Sequence, residues 1–425
     1  MKTYITPPRA DWQVIAARPT IAKEALNNFI QKAYKDIDQA GDAALLDYAR
    51  KYDGLRDEGV TVSTSMLRNL ADRTPKELRR AIDIAYRNIR SFHAAQMQPN
   101  TERQEVMPGV KCWQEPRPID RIGLYVPGGL APLVSTVLML GVPAKLAGCS
   151  DIVLCTPARS PESIDPAIAY AAQVCGIDTL FCLGGAQAIA AMAVGTQTIP
   201  KVDKIFGPGN QYVTAAKEYA WNYGTAIDMP AGPSEVLVVA DASARADFVA
   251  ADLLSQLEHG PDSQAILVAD SQAVLDNVKN EVMCQLVTLP RRDIAAKAWR
   301  ESIGLVLPDI AECIAFSNVY APEHMIVNVE RAGEYLANIT NAGSVFVGQY
   351  SPESAGDYAS GTNHTLPTAG WARSYSGLSV GDFQKQLQFQ RLTKQGITAL
   401  NPTIQQLASA EGLDAHARAS AIRLT

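Results

Sequence analysis

Between residues 122 and 223, short apolar runs, glycine-rich loops and helix-length segments follow one another in a repeating order. The run 122–126 leads into Pro127-Gly128-Gly129 and a helical stretch at 133–147. The run 152–155 precedes a helix at 167–174. The run 179–182 meets Gly184-Gly185-Ala186-Gln187 and another helix. The run 202–206 meets Gly207-Pro208-Gly209-Asn210 and a helix at 211–223. Strands joined in this way through helices must lie parallel, so the pattern predicts a doubly wound α/β sheet. The same order returns after residue 235, with strands at 235–239 and 265–269, near 305, and at 325–329 and 344–347. Helices at 244–259, 272–286 and 291–301 stand between the earlier strands.

The flanking segments read differently. Residues 1–20 form an extended arm. Helices are expected from Ile21 to Gly41, at 43–52, and from 76 to about 96 before Pro99. The last of these opens on a capping box, Thr74-Pro75-Lys76-Glu77. The segment 105–115 reads as a hairpin turning at Pro108-Gly109. The expected fold is therefore α/β: two Rossmann-like, incomplete doubly wound domains, an N-terminal arm and a C-terminal helical tail. The division reads as 1–20 arm, 21–115 together with 236–375, 116–235 as an inserted unit, and 376–425 as a tail without strand patterns. A sheetless tail of this kind is a candidate for exchange between subunits.

Net charge is −6 and no block of like charges occurs, so neither nucleic acid nor an anionic membrane is an expected partner. No apolar run is long enough to span a bilayer, and the first residues lack the apolar core of a signal peptide. Seven cysteines without a Cys-x-x-Cys pair point to thiols in a reducing, cytoplasmic compartment. Cys112 and Cys149 have no acid or histidine motif beside them and read as bystanders.

Chemistry concentrates at few positions. Gln256 and His259 end a helix before Gly260-Pro261, three residues apart and so on one face. Taken alone, this is a helix C-terminus with a well-placed histidine. The five histidines shift that reading. His93 lies on a helix without a motif and reads as structural. His259, His324, His364 and His416 all lie near acids or amides in polar loops or helix ends. Gln256, His259, Asp357 and His416 would supply two nitrogens and two oxygens, a set suited to Zn²⁺ or a similar divalent ion. Their spacing matches no standard zinc signature. Glu323 and His324 together can serve as base and water activator. The loops at 125–129, 184–187 and 207–210 sit at strand ends, where backbone N–H groups can meet an anion. The Gly-x-Gly-x-x-Gly fingerprint is absent, and the same glycines would serve tight turns. Ser234 reads equally as a turn residue or a substrate contact. The loop 350–368 is long enough to be functional.

Seven motifs carry a resemblance: Tyr125-Val-Pro-Gly-Gly129, Gly184-Gly-Ala-Gln187, Phe206-Gly-Pro-Gly-Asn210, Asp228-Met-Pro-Ala-Gly-Pro-Ser-Glu235, Gln256-Leu-Glu-His-Gly-Pro-Asp262, Pro322-Glu-His324 and Ser351-Pro-Glu-Ser-Ala-Gly-Asp-Tyr-Ala-Ser-Gly-Thr-Asn-His364. Over nearly its whole length the chain resembles the histidinol dehydrogenases. The resemblance implies NAD-dependent oxidation of L-histidinol to L-histidine through the aldehyde, the last step of histidine biosynthesis. It implies one Zn²⁺ per subunit on Gln256, His259, Asp357 and His416. It makes His324 the base at the alcohol step and Glu323 the activator of water at the aldehyde step. Substrate contacts would come from Ser234, Gln256, His259, His324, Asp357, His364, Glu411 and His416, and NAD contacts from Tyr125, Gln187 and Asn210. It also implies a homodimer with exchanged C-terminal parts, in which Glu411 and His416 complete the partner's site. The competing readings are a dehydrogenase of this fold acting on another polar alcohol, such as a sulfonated diol, a zinc-dependent hydrolase built on Glu323, and a non-catalytic nucleotide-binding module.

Overall fold

The computed structural model describes residues 1–18, 23–56, 59–97, 102–128, 132–230 and 232–425. Ile21, Pro99, Gly129 and Ala231, named above, lie outside the described residues.

Two six-stranded sheets dominate. In the first, the strands run in the order Thr61–Val62, Thr179–Cys182, Asp151–Thr156, Arg121–Tyr125, Lys204–Phe206 and Ala226–Ile227. All neighbours are parallel except the two-residue strand at the Thr61 edge. In the second sheet the order is Lys2–Ile5, Ile303–Val306, Gln264–Ala269, Glu235–Ala240, His324–Asn328 and Ser344–Val347, all parallel. Leaving the Thr61 and Lys2 edge strands aside, each sheet starts at a central strand, winds outward one way, then reverses and winds the other way. Both units therefore share one topology, and each has a switch point beside its first strand. The central strands of both are buried on both faces, as parallel sheets covered by helices require.

The packing divides the chain differently from the order of its sequence. The helices Lys23–Ala40, Asp42–Tyr52 and Lys76–Ala94 do not join the second sheet. Ile30, Tyr34, Ile37, Ile82 and Ile89 belong to one core with Ile122, Leu124 and Phe206, and the Tyr34 hydroxyl donates to the Ala216 carbonyl at 2.7 Å. These helices carry their apolar stripes to the first sheet because its face needs cover and the sheet edge at Thr61 lies within reach. The N-terminal arm goes the other way. Lys2–Ile5 adds an edge strand to the second sheet, and Trp12 packs edge-on against Phe316 within that sheet's core.

Two local expectations also change. The capping box at Thr74 does not form: Pro75 stands at the N-cap of Lys76–Ala94, and the Thr74 hydroxyl donates instead to the Pro166 carbonyl. The tail is not sheetless. Gln384–Leu392 is a strand, antiparallel to Val110–Pro118 in a three-stranded sheet with Gln104–Met107. The hairpin turn at Gly109 has φ +80°, a backbone state that glycine adopts without strain. Helices Lys394–Ala410 and Asp414–Ala421 follow the strand and pack on each other. Among the described residues no helix is long and apolar enough to cross a membrane.

Candidate active site

The backbone of Glu235, the first residue of strand Glu235–Ala240, gathers the first group of site residues. The Glu235 N–H donates to Glu323 Oε2 at 2.9 Å. The Glu235 carbonyl accepts from His324 Nδ1 at 3.1 Å. The parallel register that sets Val236 opposite His324 makes both bonds possible. With its proton on Nδ1, the imidazole carries its lone pair on Nε2. That atom is buried and has no hydrogen-bond partner, and Asp357 Oδ1 lies 3.5 Å away. The Glu235 side chain is fixed in turn by Arg18, through paired bonds of 2.7 Å, and by the Ala369 N–H at 3.1 Å. Arg18 also lies over the Tyr320 ring. Charge-assisted, bidentate bonds of this kind are among the stiffest anchors a protein has. The sequence pointed to neither Arg18 nor the role of Glu235.

Four elements converge on this point. Helix Ala246–Leu257 brings fully buried Gln256 in its last turn, with His259 just beyond the end. Glu323 and His324 begin strand His324–Asn328. The long loop contains a short helix, Glu353–Tyr358, whose first and fifth residues are Glu353 and Asp357. Their i,i+4 spacing sets both carboxylates on one helix face. His259, Glu353 and Asp357 offer ligand atoms that all lie within 4.8 Å of one another. His364 approaches from the far end of the loop; its Nδ1 donates to the Asp357 carbonyl at 3.0 Å, and Nε2 is 3.2 Å from the Thr136 hydroxyl. Thr136 stands in the first turn of the helix that follows the first sheet's central strand, so the two units meet here. The half-buried Ser234 adjoins the Glu235 peptide.

The cluster lies at the amino ends of the second sheet's strands, since Glu235 and His324 are each the first residue of a strand. The carboxyl-end rule for open sheets therefore describes the first sheet only. Glu353 was not found from sequence. The signal was available: Pro352 before Glu353, with Asp357 one turn later, is a helix start.

Burial and crowding of charge set the electrostatics. Burial raises the Glu323 carboxyl to about 8, against the opposing pull of His324. Glu353 is likewise raised to about 8, by burial and by neighbouring carboxylates. Burial alone would lower His324, but the carboxylates of Glu353, Glu323 and Asp357 outweigh it and hold the imidazole well above its usual range. Burial works against the Asp357 charge too, but His324, 3.5 Å away, brings its carboxyl below the usual value. Burial lowers His259 and His364. Two buried carboxyl groups and the half-buried Asp357 crowd around one histidine, and the mixed nitrogen and oxygen donors suit a borderline-to-hard divalent ion.

The sequence-derived ligand and contact positions at Glu411 and His416 are not gathered here. Both are exposed on the tail, and among the described residues neither has a hydrogen bond or ion pair to the cluster. His93 is buried; its Nδ1 donates to the Ile89 carbonyl, and Nε2 faces the Asn363 amide at 3.3 Å. It ties down the loop residue beside His364.

A second feature occupies the first sheet's switch point. A cavity of about 810 Å³ is lined by Tyr125, Gly128, Gln187, Asn210, Tyr212 and Asp53, within the size range of small-molecule sites. Asp53, also missed from sequence, accepts from the Gly184 N–H at 2.9 Å and from Gln187 Nε2 at 3.0 Å. The Gly185 N–H donates to the Tyr125 hydroxyl at 3.0 Å. Asn210 caps helix Gln211–Tyr219 through Oδ1, which leaves its NH₂ group for the cavity. The Gly207 loop is pinned from inside: Lys217 Nζ donates to the Gly207 carbonyl, and Asp228 accepts from the Gly207 N–H. Lys217 and Asp228 also pair with each other, both side chains almost wholly buried.

A buried acid–base pair, a knot of metal-competent donors and a ligand cavity at a sheet's switch point define an α/β enzyme. The family model described as histidinol dehydrogenase matches residues 16–424. A histidinol dehydrogenase of Aliivibrio fischeri is 49% identical over 429 residues, covering 100% of this chain and 97% of its own length. One of Bacteroides thetaiotaomicron is 49% identical, covering 100% and 99%. The crystal structure of histidinol dehydrogenase from Elizabethkingia anophelis superposes with a TM-score of 0.95 at 52% identity, covering 100% of this chain and 98% of that one. The chain belongs to the histidinol dehydrogenase family and is an oxidoreductase.

Proposed function

We propose that the chain oxidises L-histidinol to L-histidine in two steps through the aldehyde, using NAD and one Zn²⁺ per subunit, as the closing reaction of histidine biosynthesis. The observation that carries the reading is the backbone of Glu235, whose N–H holds Glu323 and whose carbonyl holds His324. One residue of a buried strand thus fixes a carboxyl group and an imidazole beside the same space, as a two-step oxidation needs.

His324 Nε2, with Nδ1 bound to the Glu235 carbonyl, takes the hydroxyl proton at the alcohol step in the neutral form of an imidazole that neighbouring carboxylates hold well above its usual range. Glu323, held through Oε2, uses its other oxygen to take a proton from water as that water adds to the aldehyde carbon. Tyr125, Gln187 and Asn210 line the cavity that would seat NAD, which accepts a hydride from the carbinol carbon at each step when bound. Gln256, His259 and Asp357 would hold the metal with His416 of the partner subunit, and the ion when bound fixes the substrate's imidazole and amine. Ser234 and His364 border the substrate, and Glu411 of the partner subunit closes it in.

The deciding assay supplies L-histidinol and NAD⁺ to the zinc-loaded protein. Two NADH per histidinol are expected, and a strong chelator should abolish the signal until zinc is restored. A zinc-replete protein that forms no NADH sinks the reading. Exchange of residues 376–425 between subunits makes a second expectation. A His416→Ala chain and a Glu323→Gln chain, neither of which alone turns histidinol over to histidine at the parental rate, should regain steady-state turnover when mixed under conditions that reassort dimers. Absence of recovery after proven reassortment rejects shared sites.

A further inference from the structure

We infer that Arg18 is a positioning residue for both halves of the reaction: through the Glu235 side chain it fixes the backbone that holds Glu323 and His324. Arg18 Nε and Nη2 donate to Glu235 Oε1 and Oε2, each at 2.7 Å. The Ala369 N–H donates to Oε1 as well, at 3.1 Å. A guanidinium and a backbone N–H can only donate, so both Glu235 oxygens are acceptors and the donor geometry alone settles the arrangement. Glu235 is buried and the Arg18 side chain largely so. Two parallel bonds between planar groups fix orientation as well as distance, where a single bond leaves the group free to turn.

The pair reaches three segments that carry chemistry. The first is Glu235 itself, whose N–H and carbonyl hold Glu323 and His324. The second is the chain leading into Glu323: the guanidinium lies 3.8 Å from the centre of the Tyr320 ring, and Nη2 also donates to the Ala321 carbonyl at 3.4 Å. The third is the end of the loop that carries Asp357 and His364, tied down through Ala369. Ala321 and Ala369 have φ of +55° and +54°, and they are two of only three non-glycine residues in the left-handed region among the described residues. Such a backbone is strained and persists only where its surroundings over-determine it. Arg18 bonds to one of these alanines and Glu235 to the other, so the ion pair clamps the chain on both sides of the acid–base pair.

This inference rests on the two-step oxidation proposed above, and its test separates the two. Single-turnover rate constants for histidinol oxidation and for aldehyde oxidation are measured on the zinc-loaded, full-length protein, with enzyme in excess and NAD⁺ saturating. The variants are Arg18→Gln, Arg18→Lys, Glu235→Gln and the Arg18→Gln/Glu235→Gln double change. Under these conditions the rate constant reports the geometry of intact sites whatever their number. Arg18→Gln should slow both half-reactions together, by about 10²-fold, as misplacement of reacting groups by about 1 Å does. Arg18→Lys keeps the charge but not the fork, so it should recover only part of either rate, and it serves as the probe if Arg18→Gln fails to fold. In the Glu235→Gln background, Arg18→Gln should change either rate by less than about 2-fold, since its partner is gone. A merely structural arginine would lower the denaturation midpoint and leave both rate constants at the parental value, which would overturn the inference. So would slowing of one half-reaction alone, full recovery in Arg18→Lys, or an equal loss in the Glu235→Gln background. A zinc-loaded parent that forms no NADH fails the proposed function first, and this inference falls with it.

Discussion

Glu323→Gln is expected to stop the reaction after its first half. The variant keeps its shape, but its amide cannot take a proton from water, and loss of a positioned base costs about 10²- to 10⁴-fold. Histidinol should still yield one NADH per site in a rapid burst, with the aldehyde retained, while the aldehyde step falls by that factor. The pH profile gives a sharper reading. Burial raises the Glu323 carboxyl to about 8, so at neutral pH most of it is protonated and cannot act as a base. The aldehyde step of the parent should therefore rise with pH through about 8 and level off above it. Single-turnover oxidation of the aldehyde between about pH 6 and 10 reads this limb directly. Glu323→Gln should lose the limb as well as the rate. A variant that oxidises aldehyde at parental speed would remove Glu323 from the chemistry.

Lys217→Met is expected to be the most damaging single change to stability outside the site. Its ammonium and the Asp228 carboxylate are buried together and share the Gly207 loop, with Asp228 also accepting from the Met229 N–H. Removing one member leaves a charge in the interior without its counter-ion, at a cost of about 3–5 kcal/mol. Gly207 itself has φ +132°, and a Cβ there would strike the Tyr125 carbonyl, so the loop has no room to re-form elsewhere. Chemical denaturation should show an earlier midpoint, and NAD should bind more weakly because Asn210 follows that loop. Replacing Asp228 by Asn at the same time should restore part of the stability, since no lone charge then remains. A Lys217→Met protein as stable as the parent would show that the pair is not holding the loop.

Much of the α/β framework was legible because it follows from local chemistry. Apolar runs buried on both sheet faces, glycine loops and intervening helices cannot be arranged in many other ways. Strand Gln384–Leu392 was not legible. Its residues are mostly glutamine, lysine and arginine, and it is only partly buried, so the alternation of Leu387 and Phe389 stood too low against the polar positions. Glu353 and Asp357 lay in a stretch rich in serine and glycine that read as loop, and the single turn of helix bringing them together is stabilised by what packs around it, since so short a helix is marginal alone.

Gln256, His259, Glu323, His324, Asp357 and His364 could be named from the chain alone, because it has only five histidines and most of them stand near acids or amides. Nothing in the chain's order could reveal that the backbone of Glu235 orients both Glu323 and His324, that Arg18 braces its side chain from the N-terminal arm, or that the early helices cover the first sheet instead of the second. Those bonds join residues between 88 and 217 positions apart. Local sequence determines which elements form and which side chains they carry. Which element lies against which is decided by the burial of whole faces and the pairing of buried polar groups, and these exist only once the chain has folded.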